Sequence, residues 1–441
     1  MVQNEKSVSV FGDHYRVRFH LFIGNLLVSC LKWWYLKKTT TITHYFGDTS
    51  VLTEEEVIRA LPPDGFIRQY VIHAAKQTTA PLCYHLATGL GILAATCPIN
   101  YGTHYAGLLR TNMFCLLVGR SGEDQKSSAL GIGKEILDTA ASVLVGDFPG
   151  SPEGLIDSLA RAPSQMIPIS EFGRFLSAAS RGYFEPIKTL LADVWDSQAI
   201  QRARANGRTI RVDNPRLSLV AACSIPYLEK HTLSEDWSGG FMGRWAVMYG
   251  KRERIDPDPI GDRTQFDWLV NEIRRRAGTA QAGWCRGLDA EAKPVWDAWY
   301  YDLYRRSIPA NVVGVKARAP TIARKVAMLY SWDYGAAQRP EPWDISLAEL
   351  VPAIRFAELH IKSIIGLSKK IADHPDARLR RAVLEAMEQC HGLATLGQII
   401  GILKMKKRPV VETLDGLLEE GMVVRSQTLN GYSYALESTL Q

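Results

Sequence analysis

The run Phe114-Cys115-Leu116-Leu117-Val118-Gly119-Arg120-Ser121-Gly122-Glu123-Asp124-Gln125-Lys126-Ser127-Ser128 reads as an apolar strand, a polar loop and Lys-Ser heading a helix that continues through Ile136. A strand, a small-residue loop and a helix opening on Lys-Ser is how a chain holds a nucleoside triphosphate. Loop N–H groups and the positive end of the helix dipole surround the β-phosphate. Lys126 then reaches the β- and γ-oxygens, and the Ser127 hydroxyl ligates Mg²⁺. The expected nucleotide-binding residues are therefore Gly119, Arg120, Ser121, Gly122, Glu123, Asp124, Gln125, Lys126, Ser127 and Ser128, with ATP and Mg²⁺ as ligands. Two departures stand out: Gln125 occupies the place of the usual glycine, and Gly119 lies seven residues before Lys126 instead of six. The competing interpretation is a surface turn before an ordinary helix.

Working outward, short apolar runs at 113–118, 143–145, 165–169, 217–223 and 245–249 are separated by helix signals such as Ser151-Pro152-Glu153. Strands alternating with helices predict an α/β core with a mainly parallel sheet covered on both faces. Pro168 is a misfit, because it has no N–H for a central strand. The run at 165–169 ends in Ser170-Glu171, where an ATPase of this type places Asp-Glu. Glu171 is the candidate base, or else a helix-first-turn acid favoured by the dipole. Ser224 closes the 217–223 run at the carboxyl end of a buried strand, to sense the γ-phosphate or simply to cap the next helix. Arg244 follows a glycine-rich loop, either to reach a neighbouring subunit's phosphates or to form a surface ion pair.

Composition sets the frame. The 441 residues carry 52 Lys+Arg and 46 Asp+Glu, 46% hydrophobic and 22% charged, which excludes disordered and fibrous classes. The net charge of +6 leaves nucleic-acid affinity to local basic patches. Seven scattered cysteines without a Cys-x-x-Cys pair argue against a disulfide framework or a thiolate zinc site and favour the cytoplasm. The apolar stretch at 21–31 carries Asn25 and runs into Lys32-Trp33-Trp34-Tyr35, so it reads as a strand or short helix and not as a membrane segment. The expected divisions are 1–52 of unassigned role, a helical unit at 53–110 opened by the capping box Thr53-Glu54-Glu55-Glu56, a P-loop core at 111–256, a helical domain at 257–374 and a winged helix-turn-helix at 375–441. Strand signals vanish after Arg254. They return at 422–427 and 432–436, flanking the hairpin signal Asn430-Gly431.

Several segments together resemble a known family: Tyr84-His85-Leu86-Ala87, the loop at 118–128, Ser151-Pro152-Glu153-Gly154-Leu155-Ile156, Ser170-Glu171-Phe172-Gly173-Arg174-Phe175-Leu176, Val194-Trp195-Asp196 and residues 240–249. The chain is similar over about residues 60–335 to a domain-of-unknown-function family of P-loop ATPases. These occur in phage, plasmid and mobile-element replication proteins and are often joined to a primase-polymerase. The resemblance implies a RecA/AAA-like core, a homo-oligomer that is hexameric or otherwise ring-like, and a primase or initiator as partner. Residues 1–50 are too short for a primase, so the likeness is to the ATPase part.

Nucleic-acid contacts are expected at two places. Arg202, Arg204, Arg208 and Arg211 surround the turn Asn206-Gly207, a basic hairpin suited to a phosphate backbone or else a solvated edge. Lys406, Lys407 and Arg408, with Lys404 before them, open the third C-terminal helix, the end that enters the major groove in helix-turn-helix proteins. The leading expectation is an ATP-dependent helicase or helicase-like motor on single-stranded or forked DNA. The alternatives are a nucleotide-gated replication initiator or regulator with weak hydrolysis, which the changes at Ser170 and Gln125 favour, and an ATPase scaffold in mobile-element defence.

Overall fold

In a computed structural model of the chain, the structure describes residues 51–98, 101–105, 107–148, 150–179, 186–203, 209–232, 236–237, 240–278, 285–309, 312–335, 343–372, 375–419, 422–428 and 431–436. The stretch at 21–31, Arg204, Arg208, the turn Asn206-Gly207 and Asn430 lie outside them.

The fold is mixed α/β, built on a four-stranded parallel sheet flanked by helices. After a short antiparallel pair, β1 (Thr103–His104) with β2 (Leu108–Leu109), come β3 (Phe114–Gly119) and β4 (Ser164–Ile169). An antiparallel hairpin of β5 (Ile200–Ala203) and β6 (Thr209–Val212) precedes β7 (Arg216–Ser224) and β8 (Trp245–Tyr249). The main sheet runs β4-β7-β3-β8, all parallel. Strand β3 is buried along its whole length and β7 at every residue but Ser224, as expected of central strands covered on both faces. Pro168 fits because β4 is the edge strand of the four, where a missing N–H is tolerated. Beyond it, the expected strand at 143–145 is instead a 3₁₀ turn, Ser142–Leu144, followed by a single parallel bridge from Val145 to Met166.

The other edge, β8, is closed by side chains. Val247 N–H donates to His360 Nδ1 (2.9 Å) and Tyr249 N–H to Ser363 Oγ (3.0 Å), both on the helix Leu347–Ala372. Leu52 N–H donates to the Tyr249 carbonyl (3.1 Å). An exposed strand edge with free N–H groups is a template for unwanted pairing, and these bonds remove it.

Two helix starts follow their caps: Thr53 and Glu56 form the reciprocal box that starts Glu54–Arg59, and Ser151 caps Pro152–Arg161. The helix Leu82–Thr96 is buried at every residue and lies against the main sheet. Residues from 52 to 367 share one continuous apolar core. The expectation of an all-helical stretch after Arg254 needs correction. Beside the helices Arg263–Ala277, Ala292–Arg305, Val313–Gly335 and Leu347–Ala372, β9 (Cys285–Leu288) pairs in parallel with β10 (Trp343–Ile345). Each is only three or four residues long, too short for a periodic signal.

The C-terminal unit has its own core around Val383, Met387, Ile399, Val410, Leu414 and Tyr434. Helices Pro375–Gln389, Leu396–Leu403 and Lys407–Glu419 pack with an antiparallel sheet. Its strands β11 (Leu393–Thr395), β12 (Val423–Thr428) and β13 (Gly431–Leu436) run in the order β11-β13-β12. Among the described residues, no helix is long and apolar enough to cross a membrane.

Candidate functional site

The carboxyl ends of parallel strands are where open α/β sheets bind ligands. Here that edge carries the loop between β3 and the helix Lys126–Ala141, with Gly119 level with Ser224 of β7. Lys126 heads the helix and is only 9% exposed. Its ammonium turns back into the loop and donates to the carbonyls of Gly119 (3.1 Å) and Arg120 (2.7 Å). Burial lowers the Lys126 pKa, while the nearby Asp124 carboxylate works in the opposite direction.

Asp124, 1% exposed, is the loop's internal brace. One oxygen accepts from Arg120 N–H (2.6 Å), and the other accepts from Arg252 N–H (3.0 Å) and the Arg120 guanidinium (3.1 Å). Burial alone would raise this carboxyl, but the bonds from Arg252 and Arg120 outweigh it and hold the pKa below the ordinary value. The same carboxylate therefore ties the loop to the chain leaving β8. Beneath it, the Tyr84 hydroxyl donates to the Val118 carbonyl (2.6 Å) and lies 2.9 Å from the Gly250 carbonyl. A Cβ on Gly119 would lie 2.2 Å from that hydroxyl and 2.8 Å from Asp124 Oδ2, so only glycine fits there. Gly122 turns the loop with φ +74°.

Arg120, Ser121, Gly122, Glu123, Ser127 and Ser128 are exposed, with Arg120 paired to Glu123. Ser127 stands exposed in the first helical turn. A hydroxyl oxygen is a suitable donor for Mg²⁺, a hard cation that keeps water and phosphate as its other ligands.

Glu171 leaves the same edge of the sheet two residues after β4. One strand separates β4 from β3, so the two are about 10 Å apart at ordinary strand spacing. The following helix, Phe172–Ala179, packs against β7 and the helix Ile225–His231. Glu171 itself is exposed and ion-paired to Arg174, and Ser170 beside it is exposed too. Ser224 is half-buried at the N-cap position of Ile225–His231, yet its side chain makes no capping bond, which leaves the hydroxyl for other partners.

Arg244 lies elsewhere. It precedes the first residue of β8, and Trp245 pairs with Phe114, so it stands at the amino edge of the sheet, opposite the loop. Its guanidinium, 12% exposed, binds Asp196 (2.7 Å) and the Gly240 carbonyl (3.0 Å) over the Trp195 ring. Asp196 also pairs with Arg318 (3.6 Å), and Lys325 is buried alongside, donating to Asn112 and to the Trp195 carbonyl. Within the chain, Arg244 belongs to this internal network.

Of the basic hairpin, the described residues give Arg202 an ion pair with Asp157 (2.6 Å), while Arg211 is exposed beside Asp213 (2.5 Å). Lys406, Lys407 and Arg408 are all exposed where the helix Lys407–Glu419 begins, and Arg408 pairs with Glu412 (2.8 Å). Sequence reasoning missed Asp124 as a brace, Tyr84 as the floor, Arg252 as an anchor and Thr78 and Thr79 as neighbours of Gln125. Only Asp124 left a signal, as an acid inside a loop meant for anions. No protein-family model and no curated protein matches this chain.

Proposed function

We propose that this chain is a P-loop NTPase of the RecA/AAA-like kind, binding ATP with Mg²⁺ and serving as a helicase or helicase-like motor on DNA in the replication of a mobile element. One observation carries the reading: a buried ammonium, Lys126, turned inward on loop carbonyls at the carboxyl end of a central parallel strand. An arriving polyphosphate offers that ammonium stronger, charge-assisted acceptors than two carbonyls do. The exposed N-terminal turn of the helix adds the positive end of its dipole. Ser127 would hold Mg²⁺, which when bound neutralises phosphate charge. Ser224, at the end of β7, and Glu171, just after β4, give the γ-phosphate end its polar neighbours. Glu171 orients water once Arg174 releases it.

The C-terminal three-helix, three-strand unit suits a winged helix, with Lys406, Lys407 and Arg408 toward duplex DNA. Arg211 supplies exposed charge for a single strand. The family resemblance supports a ring of identical subunits. A second reading, a nucleotide-gated initiator or regulator with slow hydrolysis, is favoured by Ser170 in place of an acid and by the pairing of Glu171 with Arg174. ATP hydrolysis measured with and without single-stranded DNA tests the proposal. The motor requires DNA-stimulated turnover that is lost in Lys126→Ala and Glu171→Gln. Tight ATP binding with duplex affinity and no stimulated turnover supports the regulator, and absence of ATP binding overturns both.

A further inference from the structure

The residue that departs from the usual glycine before the loop lysine has a conformation normally left to glycine. Gln125 has φ 49° and ψ 35°, in the left-handed region that a Cβ disfavours. It stands at the N-cap of Lys126–Ala141, yet its side chain makes no capping bond to that helix. Its amide oxygen points sideways instead, accepting from the Thr78 hydroxyl and from the Thr79 hydroxyl (3.3 Å). Both threonines are 5% exposed.

These threonines are fixed from behind. The Thr78 hydroxyl also accepts from Ala80 N–H (3.1 Å). The Arg254 guanidinium donates to the carbonyls of Ala75 and Ala80 (2.6 Å each) and pairs with Glu54 (2.6 Å), which clamps the turn after the helix Phe66–Gln77 onto the chain leaving β8. Gln125 thus grips a rigid support, and the residue it precedes is Lys126.

We propose that Thr78 and Thr79 latch the loop through Gln125, holding the 125–126 peptide in its left-handed turn so that the Lys126 ammonium stays directed into the loop. Gln125, Thr78 and Thr79 are positioning residues for the polyphosphate site; the inference rests on that reading of the loop for its effect on ATP and on geometry alone for its effect on the chain. Glycine at 125 would adopt the turn unaided, so the threonines matter only while glutamine is there.

A double-mutant cycle tests this dependence, because losses unrelated to Gln125, such as the Ala80 N–H acceptor, appear in both backgrounds and cancel. In the full chain, T78V/T79V is expected to weaken ATP binding about tenfold, the worth of one or two side-chain hydrogen bonds. It should also speed amide exchange across residues 119–126 without nucleotide. In the Q125G background the same pair of changes should alter both readouts by less than about twofold, and T78S/T79S should restore wild-type values. Equal effects in the two backgrounds, or no effect in the wild-type background, overturn the latch. Should the wild-type chain bind no ATP, the nucleotide reading fails on its own, and the exchange measurement still decides whether the threonines hold the loop.

Discussion

Replacing Asp124 with asparagine removes one charge from the loop and changes almost nothing in size, so the effect isolates the brace. In the native chain the two carboxylate oxygens serve two backbone donors, Arg120 N–H at 2.6 Å and Arg252 N–H at 3.0 Å. The amide keeps one acceptor and turns an NH₂ group toward the other N–H. Hydrogen bonds to a charged group contribute about 1.5–3 kcal/mol, and a buried donor without a partner costs about 1–3 kcal/mol. The Arg120 guanidinium, 44% exposed, adds little because solvent screens it. With one bond kept in weaker form, the expected loss is about 2–4 kcal/mol at pH 7. For a cooperative core of roughly 300 residues at about 2.1 cal/mol/K per residue, that lowers Tm by about 3–6 °C. Because its pKa is depressed in the folded state, Asp124 contributes fully above the unfolded carboxyl value of about 4, and the contribution fades as pH falls through the lower folded value. The gap between wild type and D124N should accordingly narrow in acid. Scanning calorimetry at pH 7 and in the acid range measures both. A Tm within about 1 °C of wild type at pH 7 would refute the assignment of Asp124 as the loop's brace.

Three other outcomes are expected. Lys126→Ala should abolish detectable ATP binding while moving Tm by no more than a few degrees, since burying that ammonium is itself unfavourable; equilibrium binding of a fluorescent ATP analogue checks it. Gly119→Ala should cost about 1–3 kcal/mol by driving a methyl into Tyr84 and Asp124. Adding Tyr84→Phe should recover part of that loss, and a double variant no better than G119A would sink the packing argument. Burial lowers the pKa of His85 to about 3 and of His360 to about 4. Both stay neutral in the fold but take up protons when unfolded below about pH 6.5, so stability is present above that pH. It is lost on acidification by up to about 1.4 kcal/mol per pH unit for each histidine. Denaturant midpoints between pH 7 and 5 should fall, and less steeply in His360→Gln.

The local code of this chain was legible in its residues: Thr53 and Ser151 mark helix starts that the fold honours, and β3, β4, β7 and β8 lie where the apolar runs do. Capping and periodicity act between near neighbours, so one-dimensional reading finds them. The loop and Lys126 were equally visible, because strand, turn and helix are contiguous there. Strand order, the edge position that accommodates Pro168, and the closure of β8 by His360 and Ser363 were decided by tertiary structure. So was the fate of Arg244, whose partner Asp196 is 48 residues away in sequence and whose strand end faces away from the loop. The Asp124 bond to Arg252 and the threonines on Gln125 join residues 128 and about 47 positions apart. Contacts of that separation leave no period in the chain; they exist only once packing has brought the two surfaces together and excluded the water that would otherwise satisfy those groups.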